Sequence, residues 1–253
     1  MSIKEQELKL RVLALTGTYE TSELPPECFA GVTGNFDGAG MSFGVLQFNM
    51  KSGTLQPMLR KMFTSHDSLM KDIFGDNYQE LKDISRPIST ARQIAWADSI
   101  SVGTSKRSLK KEWQTQFKEL GRTTECQQYQ MEASKPYFDN ALRYFKQFNF
   151  WSERAFALCF DICVQCGTIY HSVIDRYNDD LSKLEPRISC NQLEIEKMKI
   201  LAVRRAEASN PKFVADVKSR KICIANGSGR VHGLDIDLEK DFNIGLVHAQ
   251  IDA

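Results

Sequence analysis

From Ile3 to Tyr19 the apolar positions Leu8, Val12, Leu15 and Tyr19 return every three or four residues, the spacing of one helix face, and Glu20 closes that segment. Pro25-Pro26 and then Gly31, Gly34, Gly38 and Gly40 end the helix and open a loop that tolerates positive φ. Met41 to Asn49, MSFGVLQFN, alternates as a strand or hairpin does. After Pro57 the pattern is helical almost to the end, with segments near Met58 to Phe63, Pro87 to Ser101, Ser108 to Leu120, Glu125 to Phe148, Ser152 to Tyr177, Asn191 to Ser209 and Pro211 to Ile224. Pro87 and Pro211 stand at helix starts, where a missing N–H costs little, whereas Pro136 falls inside a segment and should break or kink it. Ser152 to Tyr177 is apolar nearly all round, with Phe156, Phe160, Ile162, Val164 and Ile169, and predicts a buried helix through the middle of the body.

The expected fold class is mainly α (α+β), with a small β-hairpin on a helical body. At 253 residues, with 42% apolar and 10% aromatic side chains, the chain has ample material for a core. Thirty-three basic residues against thirty-two acidic ones leave a net charge of +1, so no whole-chain field points to nucleic acid or an anionic membrane. The run Lys106 to Lys111 reads as a solvated helix start. The opening MSIKEQELKL is too polar for a signal peptide, and no run of about eighteen apolar residues occurs. A soluble product made in the cytoplasm is expected, with no membrane insertion, reaching any outside target by release or delivery.

Seven cysteines, an odd number, fit reduced thiols better than a disulfide framework. Cys28, Cys126, Cys190 and Cys223 are isolated and read as small apolar fillers. Cys159, Cys163 and Cys166 have a CxxxCxxC spacing that in another setting ligates an iron–sulfur cluster, but i, i+4, i+7 is also one face of a helix, and here the motif lies inside a helical pattern. His66, His171, His232 and His248 show no ligand spacing, so neither a metal site nor a cofactor is expected.

The candidate chemistry lies between Thr16 and Met58. A carboxylate ending a helix, as Glu20 does, faces the negative end of the helix dipole, which with partial burial raises its pKa toward what a general acid requires. The plain alternative is a solvated helix-end glutamate. Asp37 sits in the Gly-rich turn that follows; the spacing in GNFDGAGMSFG does not follow a strand and open a helix, so nucleotide binding is set aside. A second Gly-rich stretch, Asn226 to Gly233 (NGSGRVHG), either turns the chain or lets its backbone approach a ligand, with Arg230 and His232 as possible cleft residues.

Asp37-Gly-Ala-Gly-Met-Ser42-Phe-Gly-Val-Leu-Gln-Phe48 resembles the DGxGxTxGxxxF segment of the chitosanases of glycoside hydrolase family 46, in the lysozyme superfamily, where a glutamate ending the first helix lies a similar distance upstream. A weaker resemblance runs from Cys126 to Gly167, through Pro136-Tyr137, Ala157 to Asp161 and Val164 to Gly167. It implies a lysozyme-like two-lobed helical fold with the hairpin lining a substrate cleft. The whole chain would be one catalytic domain, with catalytic helix and hairpin within 1–60, a helical body over 61–225 and the Gly-rich segment over 226–253. By the same resemblance Glu20 would be the general acid, Asp37 the base activating a water, and the Ser42 hydroxyl, where the family has threonine, would help hold that water. The family inverts, which requires roughly 6.5–9.5 Å between carboxyl groups against about 5 Å for a nucleophile.

Two departures bear on the substrate. The family's arginine after Asp-Gly is Ala39, and the acid that follows its Gly-Thr has become Leu55 and Gln56. A polycationic substrate needs negative charge in its groove, so a neutral chain lacking that acid points away from chitosan and toward peptidoglycan, whose N-acetylated sugars suit amides such as Gln47 and Asn49. The leading expectation is a muramidase-like glycoside hydrolase, a phage lysin or a secreted antibacterial effector, with an immunity protein as its partner in the second case. A chitosanase, a catalytically idle wall-binding module on the same scaffold, and an iron–sulfur protein are the alternatives.

Overall fold

The computed structural model of the protein describes residues 2–185 and 187–251. The chain forms two compact units, one of Met1–Ser22 with Lys135–Ala253 and one of Glu23–Ser134.

The first unit opens with α1 (Ile3–Thr21). The Ser2 hydroxyl accepts from the Glu5 N–H at 3.2 Å and caps its start, and Ser22 in the left-handed region (φ 58°) stops it. Leu8, Val12, Leu13, Leu15 and Tyr19 bury its apolar face, as their spacing predicts.

The second unit begins with a three-stranded antiparallel sheet, β1 (Val32–Thr33), β2 (Ser42–Phe43) and β3 (Phe48–Asn49), in that order. Its register aligns Val32, Phe43 and Phe48 on one face and Thr33, Ser42 and Asn49 on the other. The expected hairpin is therefore the outer pair of a three-stranded sheet. Helices α2 (Leu55–Ser65), α3 (Asp67–Phe74), α4 (Tyr78–Ser85) and α5 (Thr90–Ile100) follow. Then come a ribbon of β4 (Ser101–Val102) with β5 (Ser108–Leu109), α6 (Lys111–Arg122) and α7 (Thr124–Ala133). Phe43, Phe74, Trp113 and Phe117 form an aromatic core, with Phe117 centred 5.3 Å from both Phe43 and Phe74. The helix expected from Ser108 starts at Lys111, because Ser108 and Leu109 pair with β4 instead.

The chain re-enters the first unit with α8 (Lys135–Gln147); the break comes at Ser134, and Pro136 occupies the first turn of α8, where it lacks no helical partner. Then come α9 (Glu153–Cys166), α10 (His171–Leu181), α11 (Cys190–Glu207), α12 (Val214–Asn226), a hairpin of β6 (Ser228–Val231) and β7 (Leu234–Asp237), and α13 (Leu238–Phe242). The single helix expected from Ser152 to Tyr177 is two, since Gly167 takes a positive φ (72°) that ends α9. Helix α9 is buried from Ala155 to Cys163 and packs against α1, α8, α11 and α12. Among the described residues no helix is long and apolar enough to cross a membrane.

Candidate active site

In the first unit, Glu20 stands at the end of α1 with its side chain 36% exposed, and its Oε1 accepts from Arg220 Nη1 at 2.8 Å. Arg220, on α12, is only 3% exposed; its Nη2 donates to Asp161 Oδ1 at 2.5 Å, and its guanidinium lies 5.1 Å from the Tyr19 ring centre. Lys221, fully buried, donates to Asp161 Oδ2 at 2.7 Å and to Gln165 Oε1 at 2.5 Å. Asp161 and Gln165 are one turn apart on α9, as Thr16 and Glu20 are on α1, so each helix turns one polar edge toward the cluster. Thr16 adds a long bond to Asp161 Oδ1 at 3.4 Å.

Burial pushes the Asp161 carboxyl up, but Arg220 and Lys221 outweigh it and hold the group down at about 2. Arg220 is in turn held well above its ordinary value, because Asp161 and Glu20 overcome the desolvation that would lower it. A buried charge is tolerated only when paired and hydrogen-bonded, and here two anions and two cations satisfy one another with Glu20 at the wet end. Sequence reasoning overlooked Asp161, Gln165, Arg220 and Lys221 as site residues. One signal was present: an aspartate inside the most apolar helix must find cations somewhere in the fold.

Asp37 belongs to the second unit. It is exposed on the loop between β1 and β2, and its Oδ1 accepts from Ala39 N at 3.0 Å. Asn35 brackets that loop: its N–H donates to Ser101 Oγ (2.9 Å), its Nδ2 to Asp98 Oδ1 (3.0 Å), and its Oδ1 accepts from Gly40 N (2.9 Å). Gly38 and Gly40, at φ 77° and 78°, make the tight return. Asp37 is thus presented on a fixed turn. Ser42, buried, lies in register between Thr33 and Asn49 on the polar face of the sheet.

The other expected residues are placed as follows. Gln47 Nε2 donates to Gly44 O (2.9 Å) and Asn49 Oδ1 accepts from Ser52 N (2.9 Å), so both amides close their own turns. Arg230 is exposed on β6 opposite Asp235, at 4.0 Å, and is not among the residues bonded around Glu20. His232 does join them: Nδ1 meets Tyr19 O at 2.8 Å and Nε2 meets Asp216 Oδ1 at 2.5 Å. Leu55 and Gln56 are interior, and Gln56 Nε2 donates to Met50 O (2.8 Å) and Gln93 Oε1 (2.6 Å). Their side chains hold the start of α2.

Cys159 and Cys163 are buried in α9, which pushes Cys159 well up and Cys163 to about 12; such thiols stay protonated. Among the described residues no three His, Cys, Asp or Glu side chains are grouped to hold a metal ion.

No family model matches the chain, and no curated protein matches it in sequence. Solved structures do match. A native chitosanase from Bacillus subtilis MY002 aligns with a TM-score of 0.52 at 15% identity, covering 91% of this chain and 98% of that one. A mutant of the same enzyme complexed with 6 GlcN gives 0.51 at 14% identity, over 92% and 96%. A Gynuella sunshinyii family 46 chitosanase complexed with chitotetraose gives 0.51 at 11% identity, over 93% and 98%.

The fold is the chitosanase fold. It is the mainly helical, lysozyme-like architecture with small antiparallel sheets that the sequence resemblance implied. At such identities the likeness to chitosanases speaks for the fold alone.

Proposed function

We propose that the protein is an inverting glycoside hydrolase acting on an amino-sugar polysaccharide. The observation that carries this reading is Glu20: a solvent-reaching carboxylate at the end of a buried helix, gripped by an arginine that a buried aspartate holds from behind. A catalytic carboxyl group needs such fixed support. Arg220 occupies Oε1, which leaves Oε2 as the oxygen free to face a substrate. In the proposed reaction water attacks the anomeric carbon as the bond to the leaving oxygen breaks; Asp37 takes a proton from that water and Glu20 gives one to the leaving oxygen. The Ser42 hydroxyl helps hold the water.

For the substrate, the glycan strand of peptidoglycan is favoured by charge. The chain is nearly neutral at +1, and the polar row Thr33, Ser42, Asn49 offers hydroxyl and amide groups suited to N-acetyl and hydroxyl partners rather than to ammonium groups. Such an activity fits a phage lysin or a delivered antibacterial effector, the latter with an immunity protein. A second reading, chitosan, is favoured by the chitosanase structures complexed with 6 GlcN and chitotetraose.

The test is mass spectrometry of fragments released from purified sacculi and, in parallel, from chitosan. Hydrolytic reducing ends from sacculi support the first reading, and release from chitosan alone selects the second. Sedimentation with walls and no release from either polymer would show an idle binding module.

A further inference from the structure

Strands β6 and β7 are joined by His232 and Gly233, with φ of 51° and 86°. Two consecutive positive φ values define a tight turn for which Asn-Gly is the easiest pair, and histidine takes the first position far less readily. The turn delivers an imidazole to the end of α1. Both of its nitrogens are engaged: Nδ1 with the Tyr19 carbonyl at 2.8 Å, Nε2 with Asp216 Oδ1 at 2.5 Å. Both partners are acceptors only, and a neutral imidazole has one N–H to give. The two contacts are hydrogen bonds together only when the ring carries both protons.

The Tyr19 carbonyl is one of the last four of α1, which have no helical partner of their own, and α1 has no basic residue in its last turn. A cationic His232 supplies both the missing donor and the charge that the C-terminal end of a helix dipole favours. From Asp216 the bonds continue. Its Oδ2 accepts from Gln165 Nε2 (2.8 Å), and Gln165 Oε1 accepts from Lys221 (2.5 Å). Lys221 and Arg220 share Asp161, and Arg220 returns to Glu20. The circuit leaves α1 at the backbone of residue 19 and comes back at the side chain of residue 20.

We propose that His232 is a positioning residue for Glu20, acting as a proton-dependent clasp that closes this circuit. The inference rests on the reading of Glu20 as the general acid. The charged groups around the ring are Asp216, which touches it; Arg220 and Lys221 farther along α12, both tied to Asp161 of α9; Glu20 on α1; and the Arg230–Asp235 pair on its own hairpin. When the ring loses one proton it keeps Tyr19 or Asp216 but not both, and the last turn of α1 loosens beside the acid. Hydrolysis therefore falls as pH rises through the titration of His232.

The test uses the whole protein and His232→Asn, a residue that suits the turn yet is too short to span both acceptors. Two-bond nitrogen NMR of the wild type should show His232 protonated at both nitrogens at the pH of maximal activity. In H232N, the far-ultraviolet circular dichroism should be unchanged, the amides at the end of α1 should exchange faster, kcat should fall roughly tenfold with KM unchanged, and the pH limb that tracks the His232 titration should vanish. A singly protonated ring at that pH overturns the proposal, as do amide exchange rates at the end of α1 equal to those of the wild type. Glu20→Gln separates the two ideas: an active E20Q refutes the reading of Glu20, whereas an inactive E20Q beside a fully active H232N refutes only the role of His232.

Discussion

Replacing Asp161 with asparagine removes one charge and almost no volume, and it places an amide NH2 against either Lys221 or Arg220, donor to donor. Asp161 is 0% exposed, Lys221 is 0% and Arg220 is 3%, so water cannot take over the lost pairing. Removing one partner of such a buried pair costs about 3–5 kcal/mol, because an uncompensated cation remains inside. Lys221 still has Gln165 and Arg220 still has Glu20, which puts the expected loss near the lower end. Against a typical total of roughly 5–15 kcal/mol this is severe but survivable. The effect also has a pH signature. The Asp161 carboxyl is held at about 2 in the folded protein, below its ordinary 3.8, so its contribution is complete above about pH 4 and is lost as pH falls through about 2. That contribution is worth about 2 kcal/mol. Urea unfolding followed by far-ultraviolet circular dichroism at pH 7 and at pH 2.5 tests both parts. The D161N protein should unfold at lower urea at pH 7, and the gap to the wild type should shrink by about half at the lower pH. A loss under about 1 kcal/mol at pH 7, or a gap that does not change with pH, would refute the account of the network.

Gly44→Ala should destabilise by about 2–3 kcal/mol in urea titrations: the residue sits at φ 83°, and a Cβ would lie 2.4 Å from Gln130 Oε1, whose amide also bonds Val45 N and Phe29 O. Iodoacetamide should label Cys190, the exposed thiol, well before Cys159 and Cys163, read by peptide mass spectrometry on the native protein; early labelling of Cys159 would contradict its burial. Ser42→Ala should lower kcat by roughly 10–100-fold with little change in KM, if its hydroxyl holds the attacking water only as the reaction proceeds.

Where local periodicity decides structure, the fold could be read directly: α1 through Leu8, Val12, Leu15 and Tyr19, the burial of α9 through its apolar circumference, and the β2–β3 hairpin, though not β1, from the alternation after Met41. Helices α3 and α4, eight residues each, are too short to establish a period, and they went unseen between His66 and Arg86. The end of α9 was missed because apolar residues continue on both sides of Gly167, whose φ alone stops the helix. The C-terminal hairpin lacked a hydrophobic signal, since Ser228, Gly229 and Arg230 are exposed. Of the residues proposed for catalysis, Glu20 and Asp37 are visible in the sequence as parts of a compact motif. Their support is not: Arg220 reaches across 200 positions of sequence to Glu20 and 59 to Asp161, and no local pattern encodes a pairing between remote helices. What the sequence did contain was the necessity, a carboxylate in an apolar helix, without the address of its partners.

The most direct test of Glu20 as acid and Asp37 as base is proton NMR of the anomeric region during the first minutes of hydrolysis of a defined glycan oligomer, by the wild type and by Glu20→Gln and Asp37→Asn. An inverting pair predicts that the wild type first yields the anomer opposite to the cleaved linkage, and that both variants, still folded, yield almost none. A first product that retains the configuration, or undiminished turnover by E20Q, would contradict the assignment.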